Sequence, residues 1–157
     1  MNTGIPVADI CHYTPMAALV VNHETPLREV INRLTDRHHT IPIFVTDSLE
    51  RLHGMVQHAD LRDWVRLQCN LLPSNGRLSP SKTRLLLSAQ TIGELAQNDG
   101  SLMSVRLDQP LSEAMAKMSA YGRNDIAVVD GNGRFINTLN LQDILSFMME
   151  KERKLQV

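Results

Sequence analysis

At 157 residues and 17.6 kDa the chain has room for one domain or two small joined lobes, and a chain of this size folds without disulfides or metal. Its 43% hydrophobic and 21% charged residues are those of a globular protein, and 16 Lys plus Arg against 17 Asp plus Glu leave a net charge of -1. That balance excludes a global positive field for a nucleic-acid backbone, and aromatics at 4% leave few platforms for stacking bases.

In chain order, Met1 to Pro6 lacks the basic-then-apolar order of a secretory leader, and no apolar run approaches the roughly 20 residues that span a bilayer. The cytoplasm is the expected location. Val7 to Ile10 leads into the extended segment Ala18 to Val21. Leu27, Val30, Ile31 and Leu34 then share one helical face, with Thr25 expected as N-cap and Pro26 at the first helical position. Ile41 to Val45 is a short β-branched run that predicts a buried strand, Asp47 to Arg51 a turn, and Leu52 to Val56 a second strand. Ala59 to Cys69 predicts a helix with Leu61, Trp64 and Val65 turned partly inward. A turn-rich linker over 70–90 contains Pro73, Asn75-Gly76 and Pro80 and closes on Leu85 to Leu87, a run expected to pack on the domain.

The same series then recurs. Thr91 and Glu94 have the spacing of a capping box and precede the extended stretch Leu102 to Val105. Leu111, Ala114, Met115 and Met118 repeat the helical face, and Ile126 to Val129 repeats the strand. Asp130-Gly131-Asn132-Gly133 is a hairpin signal, Arg134 to Leu139 the returning strand, and Leu141, Ile144, Leu145 and Met148 line a closing helix. Leu27 to Leu111 and Val45 to Val129 are both offsets of 84, whereas Asp60 to Asp143 is 83, which places a one-residue loss in the second turn. Each copy reads as a β-α-β-β-α unit with a short lead-in helix.

The ordered set, occurring twice, resembles a tandem pair of cystathionine-β-synthase (CBS) domains, a Bateman module. The resemblance rests on Thr25-Pro26-Leu27, Ile41 to Val45 and the stretch Gly54 to Leu61 in the first copy, and on Ile126 to Asp130 and Asn137 to Ile144 in the second. It implies an α+β fold in which two repeats, 1–69 and 91–157 about the 70–90 linker, pack on a pseudo-twofold axis with small sheets covered by helices. It also implies no catalysis. Two inter-repeat clefts of this family take adenosine-containing ligands such as AMP, ADP, ATP or S-adenosylmethionine, and signal to a partner protein.

By the same resemblance Asp60 and Asp143 match the carboxylate that accepts from the ribose hydroxyls, a role that suits a group able to accept two hydrogen bonds. Each is equally explained as a carboxylate at a helix start. Gln57 and Asn140 stand where the family has Thr or Ser, and Asn137 replaces the glycine that Gly54 supplies, crowding its cleft. His39-Thr40 and Arg123-Asn124 match positions that meet phosphates, Arg123 being permanently charged and His39 largely neutral at pH 7. Leu19 and Met103 match positions against the adenine. The alternative is a ligand-free dimerisation or protein-interaction module with degenerate, closed clefts.

Other chemistry finds little support. Cys11 and Cys69 form no Cys-x-x-Cys pair and read as reduced thiols. The six histidines, His12, His23, His38, His39, His53 and His58, have no metal-ligand spacing, so no metal is expected. There is no nucleophile elbow, phosphate loop or dinucleotide fingerprint, which argues against an enzyme. The tail Glu150 to Lys154 alternates in sign, as a solvated helix end does. A homodimer is expected, with Leu111, Met115 and Met118 or Leu141, Ile144 and Met148 supplying an isologous contact.

Overall fold

A computed structural model describes residues 4–11, 18–35, 41–71, 78–96 and 103–155. The linker residues Pro73, Asn75 and Gly76 and the expected phosphate contacts His39 and Thr40 lie outside the described residues. The first repeat comprises α1 (Val7–Cys11), β1 (Leu19–Asn22), α2 (Leu27–Thr35), β2 (Ile43–Thr46), β3 (Leu52–Val56) and α3 (His58–Gln68). The linker folds into α4 (Pro80–Ser88). The second repeat comprises α5 (Ile92–Leu95), β4 (Ser104–Arg106), α6 (Leu111–Tyr121), β5 (Asp125–Val129), β6 (Phe135–Asn140) and α7 (Leu141–Leu155).

In each repeat the helical crossover makes the first two strands parallel and the hairpin makes the third antiparallel, giving two sheets of order β1-β2-β3 and β4-β5-β6. The central strands β2 and β5 are nearly all apolar and buried because both of their faces are covered. Ile43, Val45 and Val56 face the core under α2 and α3, and Ile126, Val128 and Leu139 face its counterpart under α6 and α7. The alternate residues Phe44, Met55 and Ala127 face the opposite way and, with Ala18 and Met103, form the contact between the sheets. There the Phe44 and Phe135 rings lie 5.3 Å apart.

Two backbone hydrogen bonds join the hairpins reciprocally. The Leu52 N–H donates to the Gly133 carbonyl at 2.8 Å, and the Phe135 N–H to the Glu50 carbonyl at 3.0 Å. Each bond is the image of the other, so a pseudo-twofold axis passes between Arg51 and Arg134, which form an isolated antiparallel bridge. Asp47 and Asp130 build the same turn on either side, each accepting from the N–H groups two and four residues on. Gly133 adopts φ 80°, and Glu50 holds the equivalent left-handed conformation at φ 64°. A non-glycine residue pays about 1–2 kcal/mol there.

The strand register corrects the repeat arithmetic. Ile43 pairs with Val56 as Ile126 pairs with Leu139, so Val45 corresponds to Val128 and not to Val129. Val21 still corresponds to Val105, their partners being Val45 and Val128. The residue is therefore lost between the crossover helix and the middle strand, ahead of the hairpin. Pro26 also differs from expectation: it pairs with Thr91 in an isolated bridge, and α2 starts only at Leu27. Pro110 does the same opposite Pro6, capping α6 with an extended ψ of 154°.

The lead-in helices are exchanged between the repeats. Val7, Ile10 and Cys11 of α1 are buried in the core of the second repeat, while Ile92 and Leu95 of α5 are buried in that of the first. Backbone bonds fix the exchange in matching pairs. Val7 N–H donates to Gln109 and Ile92 N–H to Thr25; Ala8 N–H donates to Leu107 and Gly93 N–H to His23. A side chain at Gly93 would place its Cβ 2.6 Å from the His23 carbonyl oxygen, so this approach requires glycine. Glu94 reaches back to the Thr91 and Gln90 N–H groups at 3.4 and 2.6 Å, as the capping-box spacing implies.

Over 80–88 the linker forms a helix not anticipated from the sequence. Ser79 caps α4 by accepting from the Lys82 N–H, Leu86 is fully buried in the first core, and the Trp64 indole donates to the Ala89 carbonyl at 3.1 Å. Leu85 and Leu87 stay exposed, so only the middle leucine of that run packs on the domain.

The contact assigned to a dimer is corrected as well. Leu111, Met118, Ile144 and Met148 are buried in the second core, and Met115 and Leu141 pack against it. These faces are spent covering the sheet. On α7 the exposed apolar residues are Leu145, Met149 and Leu155.

The exchange yields a test. Ile10→Ala should cost about 2–4 kcal/mol in denaturant unfolding. Amide exchange should rise in β4, β5 and β6 before it rises in β1, β2 and β3, although residue 10 belongs to the first repeat. Faster exchange confined to β1, β2 and β3 would contradict the exchanged packing.

Candidate functional site

Asp60 and Asp143 are each the third residue of a helix that follows directly on the last strand of its repeat. A carboxylate is favoured there by the N–H groups of the first turn. The two surroundings are nevertheless different.

In the second repeat, Gly122 ends α6 in the left-handed conformation, φ 62° and ψ 37°, and turns the chain so that the Arg123 N–H closes on the Met118 carbonyl. Asn124 is exposed, and its carbonyl accepts from the Leu141 N–H at 2.8 Å, fastening this loop to the start of α7. Asp125 opens β5 directly opposite Asn140. The Asn140 amide serves both neighbours: its Nδ2 donates to Asp125 Oδ1 at 3.1 Å, and its Oδ1 accepts from the Gln142 N–H at 2.7 Å, capping α7. Where the family has Thr or Ser, this chain has a cap that also braces a carboxylate.

Arg123, Asp125, Asn140 and Asp143 thus form one electrostatic cluster. Burial pushes the Asp125 carboxyl above its ordinary value of 3.8, opposed by the Asn140 hydrogen bond and Arg123 and reinforced by Asp143. Burial also lowers the Arg123 pKa, and Asp125 opposes that shift. Asp143 is exposed, and among the described residues no ion pair engages it. Chemically the cluster offers a guanidinium that can donate to an anionic group and an open carboxylate that can accept from a diol.

In the first repeat Asp60 is only 8% exposed and is already paired: Lys82 Nζ of α4 lies 3.0 Å from its Oδ1. Gln57 is the N-cap residue of α3, exposed and without a side-chain bond to the helix end. His58 Nε2 lies 2.5 Å from the Ile41 carbonyl oxygen. Leu19 is buried in the first core, whereas Met103 is buried between the sheets. Asn137 does not project as an obstruction. Its Nδ2 donates to the Cys11 carbonyl at 3.3 Å, holding the end of α1 on β6. Burial raises the Cys11 thiol pKa, and the Asn137 hydrogen bond opposes the rise.

Of the residues expected from sequence, the structure brings Arg123, Asn140 and Asp143 together and keeps Asp60 and Gln57 at the first helix start. Lys82 and Asp125 were missed. Asp125 was within reach, since the hairpin register sets it opposite Asn140; Lys82 belongs to a helix that no spacing ties to Asp60. A cavity of about 490 Å³ at the opposite, hairpin ends of the strands is lined by Arg51, Arg106, Lys117 and Asp130 and contains none of the expected residues.

Two β-α-β-β-α repeats about an internal twofold axis, each closing on a helix with an aspartate in its first turn, define a class of paired α+β modules. The sequence model of the CBS domain matches residues 7–67 and 93–150, and the chain belongs to this family as a tandem pair. Among solved structures it is similar to a CBS domain-containing protein from Thermotoga maritima, at 24% identity and TM-score 0.68, covering 95% of this chain and 97% of that one. It is also similar to CBSX2 in complex with AMP, at 20% identity and TM-score 0.67, with 95% and 99% coverage. A third likeness is the CBS domain pair of protein MJ0100 in complex with 5'-methylthioadenosine and S-adenosyl-L-methionine, at 20% identity and TM-score 0.61, with 93% and 97% coverage. No curated protein matches the sequence closely enough to count as a relative.

Asp125 provides a pH test. Its folded-state pKa is raised, so ionising it opposes folding; the penalty is absent at low pH and grows as the pH rises through and above the ordinary carboxylate value. Asp125→Asn should therefore gain stability relative to the native protein as the pH rises from about 4, levelling off toward neutrality. Urea titrations across that range measure it, and a difference that stays flat would contradict it.

Proposed function

We propose that the chain is a regulatory, non-catalytic module of the cytoplasm that binds an adenosine-containing small molecule, of the AMP, ADP, ATP or S-adenosylmethionine class, between its repeats. The occupied state is read by an effector protein, and the module itself acts as a homodimer. The observation that carries the reading is the cluster at the start of α7, where the braced Asp125 interacts both with Arg123 on its loop and with the open Asp143 of α7. The solved CBS pairs that hold AMP or S-adenosyl-L-methionine support the ligand class. Among the described residues no helix is long and apolar enough to cross a membrane.

In this reading Asp143 accepts from the ribose hydroxyls, Arg123 donates to the phosphate or carboxylate, and Met103 lies toward the base. Asn140 is a positioning residue that holds Asp125 and α7 together. The Asn124 carbonyl accepts from the Leu141 N–H and so fastens the Arg123 loop to α7. In the first cleft the corresponding roles fall to Asp60, Gln57, His39, Thr40 and Leu19.

Calorimetric titration distinguishes the roles. Arg123→Ala should weaken AMP and ATP about ten- to a hundredfold, the range of a hydrogen bond to a charged group, and leave adenosine nearly unchanged. Asp143→Ala should weaken all three. Equal losses for adenosine and ATP on removing Arg123 would show that Arg123 is not the anion contact, and no binding by the native protein would overturn the reading.

A further inference from the structure

The pseudo-twofold axis makes the two helix starts equivalent in backbone, yet one charge breaks the equivalence. Lys82 is the third residue of α4, in a first turn with no acidic residue, where a cation opposes the helix dipole. It is held there by Asp60, 3.0 Å away. The helix that carries it is anchored at both ends: Ser79 and Pro80 fix its start, and Leu86 and the Trp64 to Ala89 hydrogen bond fix its far end on the first core. The Asp60 side chain is 12% exposed and that of Lys82 32%, so the pair is shielded more than a surface salt bridge. Asp143, at the equivalent point of the second repeat, is exposed and has no such partner among the described residues.

We propose that Lys82 is the residue that makes the two clefts select differently: its ammonium occupies the carboxylate through which the first cleft would hold a ribose diol. The proposal rests on the reading of the clefts as adenosine-ligand sites. A diol can reach Asp60 only by displacing Lys82, which leaves a partly buried ammonium without its counter-ion. The Asp143 cleft carries no such cost and fills first. With that cost confined to the first cleft, Lys82 of the linker helix sets how many ligands the module holds.

The test is isothermal titration of the full chain with AMP, comparing the native protein with Lys82→Met and Lys82→Gln, two variants one atom shorter that remove the charge, Met with no donor and Gln with a neutral amide. The native protein should bind one equivalent, lost in Asp143→Asn and retained in Asp60→Asn. Both Lys82 variants should bind a second equivalent, because removing the ammonium leaves the buried Asp60 carboxylate without its counter-ion, and the second equivalent should vanish in Lys82→Met combined with Asp60→Asn. Thermal melts of each variant confirm that it is folded. Native binding that is lost in Asp60→Asn and retained in Asp143→Asn overturns this proposal alone, as does a folded Lys82→Met or Lys82→Gln variant that still binds one equivalent. No binding in any folded variant overturns the reading of the clefts, and this proposal with it.

Discussion

The helices of each repeat cover its sheet only in part, and the cover is completed by a short helix from the other repeat. Val7 and Ile10 complete the second core, and Ile92 and Leu95 complete the first. Helices of five and four residues have no stability of their own. They exist because the opposite repeat supplies both an apolar seat and the carbonyls of Gln109, Leu107, Thr25 and His23. Neither repeat can therefore be a complete folding unit, and the twofold arrangement follows from that dependence. The inter-sheet contact of Phe44, Met55 and Ala127 and the reciprocal hairpin bonds sit on the axis so created.

A scaffold with an internal axis would be expected to carry two equal sites, and the backbone does offer two equal helix starts. The side chains do not keep the equality. One aspartate is solvent-facing beside Arg123 and a braced Asp125; the other is buried against Lys82. Part of the difference originates in the linker, whose α4 brings Lys82 to Asp60, and part in Arg123 and Asp125 of the second repeat. The repeats supply the frame, and these side chains supply the asymmetry.

Much of this was legible in the sequence because burial on both faces writes continuous apolar strands. Ile41 to Val45 and Ile126 to Val129 announced themselves, as did the Asp130 to Gly133 turn and the Thr91 and Glu94 pair. Two features were not legible. Offsets between repeats locate an insertion only to the segment between two recognisable elements, so the lost residue was set in the hairpin until the pairing of Ile126 with Leu139 moved it. The inward faces of α6 and α7 were assigned to a dimer because periodicity shows that a stripe must be buried without showing against what. Lys82 illustrates the same limit for charge: its partner is chosen by the docking of α4 on α3, which no local pattern encodes.

The most direct measurement is the mapping of backbone amide shifts on titrating the isotopically labelled protein with AMP. The account places the first and largest changes at residues 103, 123–125 and 140–143, with the amides of 57–60 and 82 following only at higher ligand concentration. Early changes at 57–60 and 82 with 123–125 and 140–143 unmoved would contradict it.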